Sequence, residues 1–394
     1  MKKVIITCLF VLAGSLCFAA SDELEMYAYL YDGAPTHEGQ LALLQTMAES
    51  KITGAGEFYA KAFGALVKDY QNIKGANEKL YAENQAILLA SLLGQEKYAA
   101  AADDLWRAYI TFSDTLVKAE TLMSLGKIRA SQFLPQVIKV LNDLNEAPVK
   151  DRLSGERVAF GAIISLEKYG DISGYLPVYF ASKSWYNDRV KNQALRSLQI
   201  ISADPTDYLI SVIKSAGYKY DQKLAALQAV DASNVSGDSK SKTAVAAFTV
   251  GWEASTTNIS ERSQLRNIRM LSMDMIRANG CSDNSVYPLL AKSYTQYSDR
   301  TDGEEQECYS AINTLSTLAT EEAAQRLSGF LMNLNDKQKS GNVRQKEEQL
   351  VRKVIPAIGA AKQAVARPVL NAVVALGWIE TVKNLARQAL QQIP

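Results

Sequence analysis

RVAFGAIISLEKYG, residues 157–170, decides the fold. Counting back from Leu166, Ile163 lies three residues earlier, Ala162 four and Val158 eight. Offsets of three, four and eight fall on one stripe of a 3.6-residue helix, so the stretch predicts an amphipathic helix with a small residue midway along its apolar face. The spelling returns in LVKAETLMSLGKI, residues 116–128, as Val117, Thr121, Leu122 and Leu125. It returns again in RVKNQALRSLQII, residues 189–201, as Val190, Ala194, Leu195 and Leu198. A small residue at the centre of each stripe lets another helix approach closely. The anchor leucines Leu125, Leu166 and Leu198 are 41 and 32 residues apart, and self-similarity at this period is the signature of a solenoid.

Weaker copies are anchored at Leu92, Val230, Met273, Leu315 and Leu376. Between the copies run second helical segments, such as SQFLPQVIKVLNDL, SGYLPVYFASKSW, PTDYLISVIKSAGY and SVYPLLAKSYTQYS. Pro135, Pro177, Pro205 and Pro288 sit near their starts, where a helix loses nothing from a missing N–H and gains from a fixed φ. Gly126, Gly170 and Gly280 fall where phrase helices should stop, the position of a left-handed cap. The unit is helix, turn, helix, and the fold class is all-α: an α-solenoid of stacked antiparallel helix pairs.

These paired helices, their Leu-Pro openings and the turn into Asp188-Arg189-Val190-Lys191 resemble HEAT repeats, in the compact bacterial form. Looser versions of the step occur at Asp114, Val117 and Lys118, and at Asp221 and Lys223. The resemblance covers about residues 76–394 and implies that such Asp and Lys residues form a hydrogen-bonded ladder between neighbouring repeats. It also implies that the phrase helices line the binding face, which makes Lys191, Arg196 and Gln199 candidate partner contacts. Residues 21–75 fit the pattern poorly and are expected to form an N-terminal helical cap, because a solenoid must cover the apolar side of its terminal repeat. TVKNLARQALQQI at residues 381–393 is expected to close the other end, with Leu385 and Leu390 inward and Lys383, Arg387 and Gln391 outward.

Lys2 and Lys3 precede an uncharged, mostly apolar run from Val4 to Phe18 and then Ala19-Ala20, the pattern of a secretory signal peptide over residues 1–20. The run is shorter than the roughly 20 residues that span a bilayer. The expected location is periplasmic or secreted, after cleavage near Ala20. Cys17 raises lipid anchoring as an alternative, against which stands the bulky Leu16 before it. The remaining chain carries 41 basic and 42 acidic side chains and no Lys/Arg run, so it has no electrostatic footprint for nucleic acid. No later stretch predicts a transmembrane segment. Cys281 and Cys308 fall near opposite ends of successive phrase helices, beyond the roughly 7 Å Cα limit of a disulfide if the repeats run parallel.

Catalytic candidates are scarce. The one histidine, His37, lies in the least regular segment and reads as a solvated loop residue. Two cysteines and a distant histidine make no zinc set, and no glycine-rich phosphate loop follows a strand, so neither metal nor cofactor is expected. The run from Asp302 to Glu307, and Glu347 with Glu348, read as solvated charge. Tyr169, Tyr175 and Tyr179 read as packing between helices with hydroxyls reaching water, and Trp106, Trp185 and Trp378 as core. Three polar stretches, from Asn145, Ser233 and Tyr297, read as insertions, and an extra helix pair before Leu376 would account for the long last spacing. The expectation is an exported, non-enzymatic scaffold or adaptor that offers an extended surface to a protein or peptide partner. The alternative is an envelope hydrolase with paired carboxylates of perturbed pKa, built on the same platform.

Overall fold

The computed structural model describes residues 23–146, 148, 150–299 and 304–394, and the chain divides between Ala203 and Asp204 into two compact units. The expected signal segment, with Cys17, lies outside the described residues. Among the described residues the fold is all-α, with no strand, and each unit is built of stacked helix pairs.

The first unit holds α1 (23–33), α2 (His37–Glu49), α3 (Gly56–Asp69), α4 (Ala76–Gln95), α5 (Ala102–Thr111), α6 (Thr115–Lys127), α7 (Leu134–Glu146), α8 (Arg152–Tyr169), α9 (Tyr175–Lys183) and α10 (Asp188–Ile201). α4, α6, α8 and α10 pack in succession as an inner row, and α5, α7 and α9 back onto it. α2 and α3 pack on α4. The quoted phrases are α6, α8 and α10, and their Val, small and Leu positions are all buried. Leu122 and Ile163 are buried too, but Leu195 is 49% exposed, because no further inner helix of its unit follows α10 to cover it.

The second unit holds α11 (Thr206–Lys214), α12 (Tyr220–Ala232), α13 (Gly237–Glu253), α14 (Ile259–Asn279), α15 (Val286–Asp299), α16 (Glu305–Leu318), α17 (Glu321–Lys339), α18 (Gln345–Ala361), α19 (Arg367–Ala375) and α20 (Glu380–Gln392). Here α12, α14, α16, α18 and α20 form the inner row, and the odd-numbered helices back it. The phrase expected around Leu376 is displaced: that residue ends an outer helix, α19, while the inner helix is α18, with Leu350, Val354, Ile355 and Ile358 buried. α17 and α18 are therefore an ordinary pair rather than an extra one. In α20 the buried stripe is Val382, Ala386 and Ala389, continued by the cap residue Ile393, while the expected Leu385 and Leu390 flank it and are half-buried. The cause is close packing on Gly359, where an added Cβ would lie 2.9 Å from Ala389 Cα.

The start signals behave as expected. Pro135, Pro177 and Pro288 lie in the first turns of α7, α9 and α15, and Pro205 caps α11. Gly170 takes the left-handed conformation after α8 (φ +65°), and Gly280 has φ +76° after α14. Gly126 does not cap α6. It lies inside the helix, and Arg129 takes the positive φ of 53° instead. The stretch from Ser233 is a short turn, since α13 starts at Gly237. Of the other two polar stretches, residues 147, 149 and 300–303 lie outside the described residues, Asp302 among them.

One regular feature of the inner rows is absent from the apolar spelling. The residue before the anchor is hydroxylic and buried at Ser124, Ser165, Ser197, Ser272 and Thr314. Ser124 Oγ donates to Ala90 O of α4 at 2.6 Å, and Ser197 Oγ to Glu167 Oε2 of α8 at 2.7 Å. These small groups face the neighbouring inner helix and let the backbones approach.

Candidate functional site

On α10 the candidate contacts lie on two adjacent stripes: Lys191, Leu195 and Gln199 on one, Asn192, Arg196 and Ile200 on the other. Lys191 is half-buried, while Arg196 and Gln199 are exposed. Arg196 is steadied by a 2.9 Å bond from Nη2 to Gln193 Oε1. Leu195 and Ile200 stand 49% and 61% exposed among these polar groups. At the edge toward α8, the Arg189 guanidinium lies 5.0 Å from the Phe160 ring centre.

The implied Asp–Lys ladder is not formed. Asp114 caps its own helix, accepting from Leu116 N and Val117 N at 2.9 Å each. In α10 the capping position falls to Asn187, and Glu156 of α8 receives its backbone N–H at 2.9 Å. Other pairs link the inner helices instead. Glu167 accepts from Gln193 at 3.0 Å as well as from Ser197. Arg277 Nη1 donates to Ser310 Oγ at 2.8 Å.

Two carboxylates expected in solvent are buried. Glu307 is 4% exposed and takes a bidentate pair from Arg269, Nε to Oε1 at 2.7 Å and Nη2 to Oε2 at 2.9 Å. Arg269 also donates to Gly251 O at 2.9 Å and lies 4.6 Å from the Trp252 ring centre. Glu347 is wholly buried and faces Arg344 and Lys337. Burial pushes its carboxyl up, but hydrogen bonds from Arg344, its own backbone N–H and Lys337 outweigh this and hold it down to about 2. Arg344 is three residues away at the start of the same helix, whereas Arg269 and Lys337 reach their glutamates from a neighbouring helix, which the spacing alone does not show.

His37 is not a loop residue: it is the first residue of α2, half-buried, with Nδ1 3.0 Å from Oε1 of the buried Gln85. Gln85 Nε2 in turn donates to Tyr31 OH. Tyr175 and Tyr179 are buried, and Tyr169 OH donates to Ala130 O at 2.9 Å rather than reaching water. Trp378 is buried, while Trp106 and Trp185 are half-buried. Cys281 and Cys308 are free thiols.

Two adjoining concavities lie in the second unit. A cleft of about 800 Å³ lies between the α11–α12 connection and the junction of α13 with α14, lined by Tyr218, Tyr220, Lys223, Glu253, Asn258 and Glu261 among others. Beside it a cleft of about 600 Å³ holds Trp252, Arg262, Arg266 and Arg269. Asp151, Asp171, Asp204, Glu347 and Glu380 are each held below the ordinary carboxylate range, chiefly by hydrogen bonds to the charged form. No helix among the described residues is long and apolar enough to cross a membrane.

The chain matches no family model, and no curated protein matches it. Among solved structures it is similar to human deoxyhypusine hydroxylase in complex with glycerol, at 13% identity and a TM-score of 0.26, over 77% of this chain and 97% of that one. The expectation of a non-enzymatic chain is corrected on this finding, since the similar solved chain is an enzyme by name. At that TM-score the likeness assigns no activity to this chain.

Proposed function

We propose that the chain is an exported HEAT-like repeat protein that serves as a scaffold or adaptor for a protein or peptide partner in the cell envelope. The observation that carries this reading is the face of α10. Leu195 lies in solvent between Lys191 and Gln199, and Ile200 lies in solvent at the far edge of the face, beside Arg196. Exposed aliphatic groups rimmed by polar ones are the makings of a protein interface, with the apolar groups supplying affinity and the rim setting register. Export rests on Lys2, Lys3 and the apolar run to Phe18, and places the working protein in the periplasm or outside the cell.

The test is crosslinking of the mature protein in its native envelope, comparing the wild-type chain with the double variant Arg196→Ala, Gln199→Ala. Specific capture that drops in the double variant supports the reading, and unchanged capture removes these residues from the site. Mass spectrometry of the mature N-terminus checks export: the expected chain starts at unmodified Ser21, and retention of residues 1–20 contradicts cleavage.

A further inference from the structure

Four charged side chains among the described residues are buried: Glu167, Lys223, Glu307 and Glu347. The three glutamates are each ion-paired, to Lys168, Arg269, and Lys337 with Arg344 respectively. Lys223 is not. It is 6% exposed, and the contact its ammonium makes is with the Tyr220 ring, 5.6 Å to the centre. It lines the cleft of about 800 Å³.

Its place in the fold makes this arrangement costly in isolation. Lys223 is the fourth residue of α12, in the turn where the helix dipole is positive and a cation is disfavoured. Burial acts in the same direction, lowering the affinity of the amine for its proton. α14 also begins at this cleft, with Asn258, Ser260 and Glu261 in its wall. The start of α12 and the start of α14, where Asn258 Oδ1 already accepts from Ser260 N at 2.9 Å, thus border one cleft with an unpaired ammonium, and it is the charge of that ammonium that favours an anion. The rim sets its charge. Lys214 and Lys219 line the same cleft with Asp221, Glu253 and Glu261, so apart from Lys223 the rim carries one more acid than base and disfavours a dianion such as phosphate relative to a singly charged group.

We propose that this cleft is a carboxylate-binding site for a peptide, with Lys223 as the group that recognises the carboxylate. This deepens the scaffold reading by naming the chemistry of a ligand for the second unit. The carboxylate comes from a peptide C-terminus or from an Asp or Glu side chain, and Tyr218 and Tyr220 offer flat walls to the rest of the ligand.

The experiment uses the full mature chain with its lysines ¹³C-dimethylated, a change that keeps the charge. The Lys223 resonance is assigned by its loss in Lys223→Arg and, independently, in Lys223→Met, both checked for folding by circular dichroism. Four probes are titrated to about 10 mM, enough to see millimolar affinity: acetyl-Ala-Ala with a free C-terminus, acetyl-Glu-methylamide, acetyl-Ala-Ala-amide and inorganic phosphate. The expected result is a saturable shift of the Lys223 signal, with its titration midpoint moving up, for at least one carboxylate and not for the amide. Which carboxylate acts identifies the source. No shift with either carboxylate, or equal shifts with the amide or phosphate, overturns the proposal. Loss of envelope capture by the α10 variant leaves this resonance untouched, so the two readings fail separately.

Discussion

A Cβ added to Gly126 would lie 2.6 Å from both the Cα and the carbonyl oxygen of Ser165. α6 and α8 thus meet backbone to backbone, and Gly161 does the same against Ala119, with its added Cβ 2.6 Å from the carbonyl oxygen. The obstructing atoms are main chain and cannot swing aside. Gly126→Ala is expected to lower stability by about 1–3 kcal/mol through overpacking. Gly329, on the exposed face of α17 with nothing within 4 Å of an added Cβ, is the contrast. Gly329→Ala is expected to raise stability by about 0.5–1 kcal/mol by removing a helix-interior glycine. Urea unfolding of the two variants checks both signs.

That contact also marks where the sequence stopped being legible. The apolar stripe of each phrase follows from period alone, and it placed the inner helices of the first unit correctly. The row of hydroxyl residues before the anchors was equally periodic, but a period does not say whether a serine faces water or a neighbouring helix. The same limit hid Glu307 and Glu347, because an acid in an acidic run reads as solvated until a base is known to sit on the neighbouring helix, Arg269 for Glu307 and Lys337 for Glu347. Leu195 failed in the opposite sense: its stripe is right, and only its place on the last inner helix of its unit leaves it in solvent. The candidate contacts on α10 could be named from the resemblance, whereas Lys223 was read as a ladder residue, since nothing in its own helix distinguishes a paired lysine from an unpaired one.

The Arg269–Glu307 pair joins α14 to α16, with side chains only 15% and 5% exposed. Glu307→Gln strips the charge from one partner and leaves a largely buried guanidinium with Gly251 O and the Trp252 ring. Breaking a buried pair in this way is expected to cost about 3–5 kcal/mol. Replacing both partners together, Arg269→Met with Glu307→Leu, removes the uncompensated charge and is expected to recover most of that loss. A double variant as unstable as the single one would show that the pair organises the junction rather than neutralising itself. Denaturant unfolding of the three proteins decides.

For Lys223 the pH dependence has a definite sign. Burial holds its folded-state pKa below the ordinary 10.5, so the folded chain binds this proton less tightly than the unfolded chain does. The resulting penalty is fully present below the folded pKa and disappears as pH rises toward 10.5. Lys223→Met is therefore expected to be more stable than wild type at pH 7, with the difference shrinking on the alkaline side. Taking the difference between the two proteins cancels the tyrosines, which titrate in both. A gap that stays constant from pH 7 to about 10 would mean that the ammonium is solvated in the folded chain.

Leu195 and Ile200 separate binding from folding most cleanly. A buried leucine changed to a polar residue costs several kcal/mol, but these two are 49% and 61% exposed and fill little of the core. Leu195→Asn with Ile200→Asn is therefore expected to change stability by no more than about 0.5 kcal/mol per site. Their exposed area matters only if a partner covers it. In that case each side chain contributes on the order of 1–2 kcal/mol to association, and the double variant loses at least tenfold in affinity for whatever the envelope crosslinking captures. Melting temperature and partner capture measured on the same preparation distinguish the outcomes. Unchanged melting with lost capture places the interface on α10. Unchanged melting with unchanged capture sends the search to the second unit, and a large drop in melting would mean that these residues belong to packing after all.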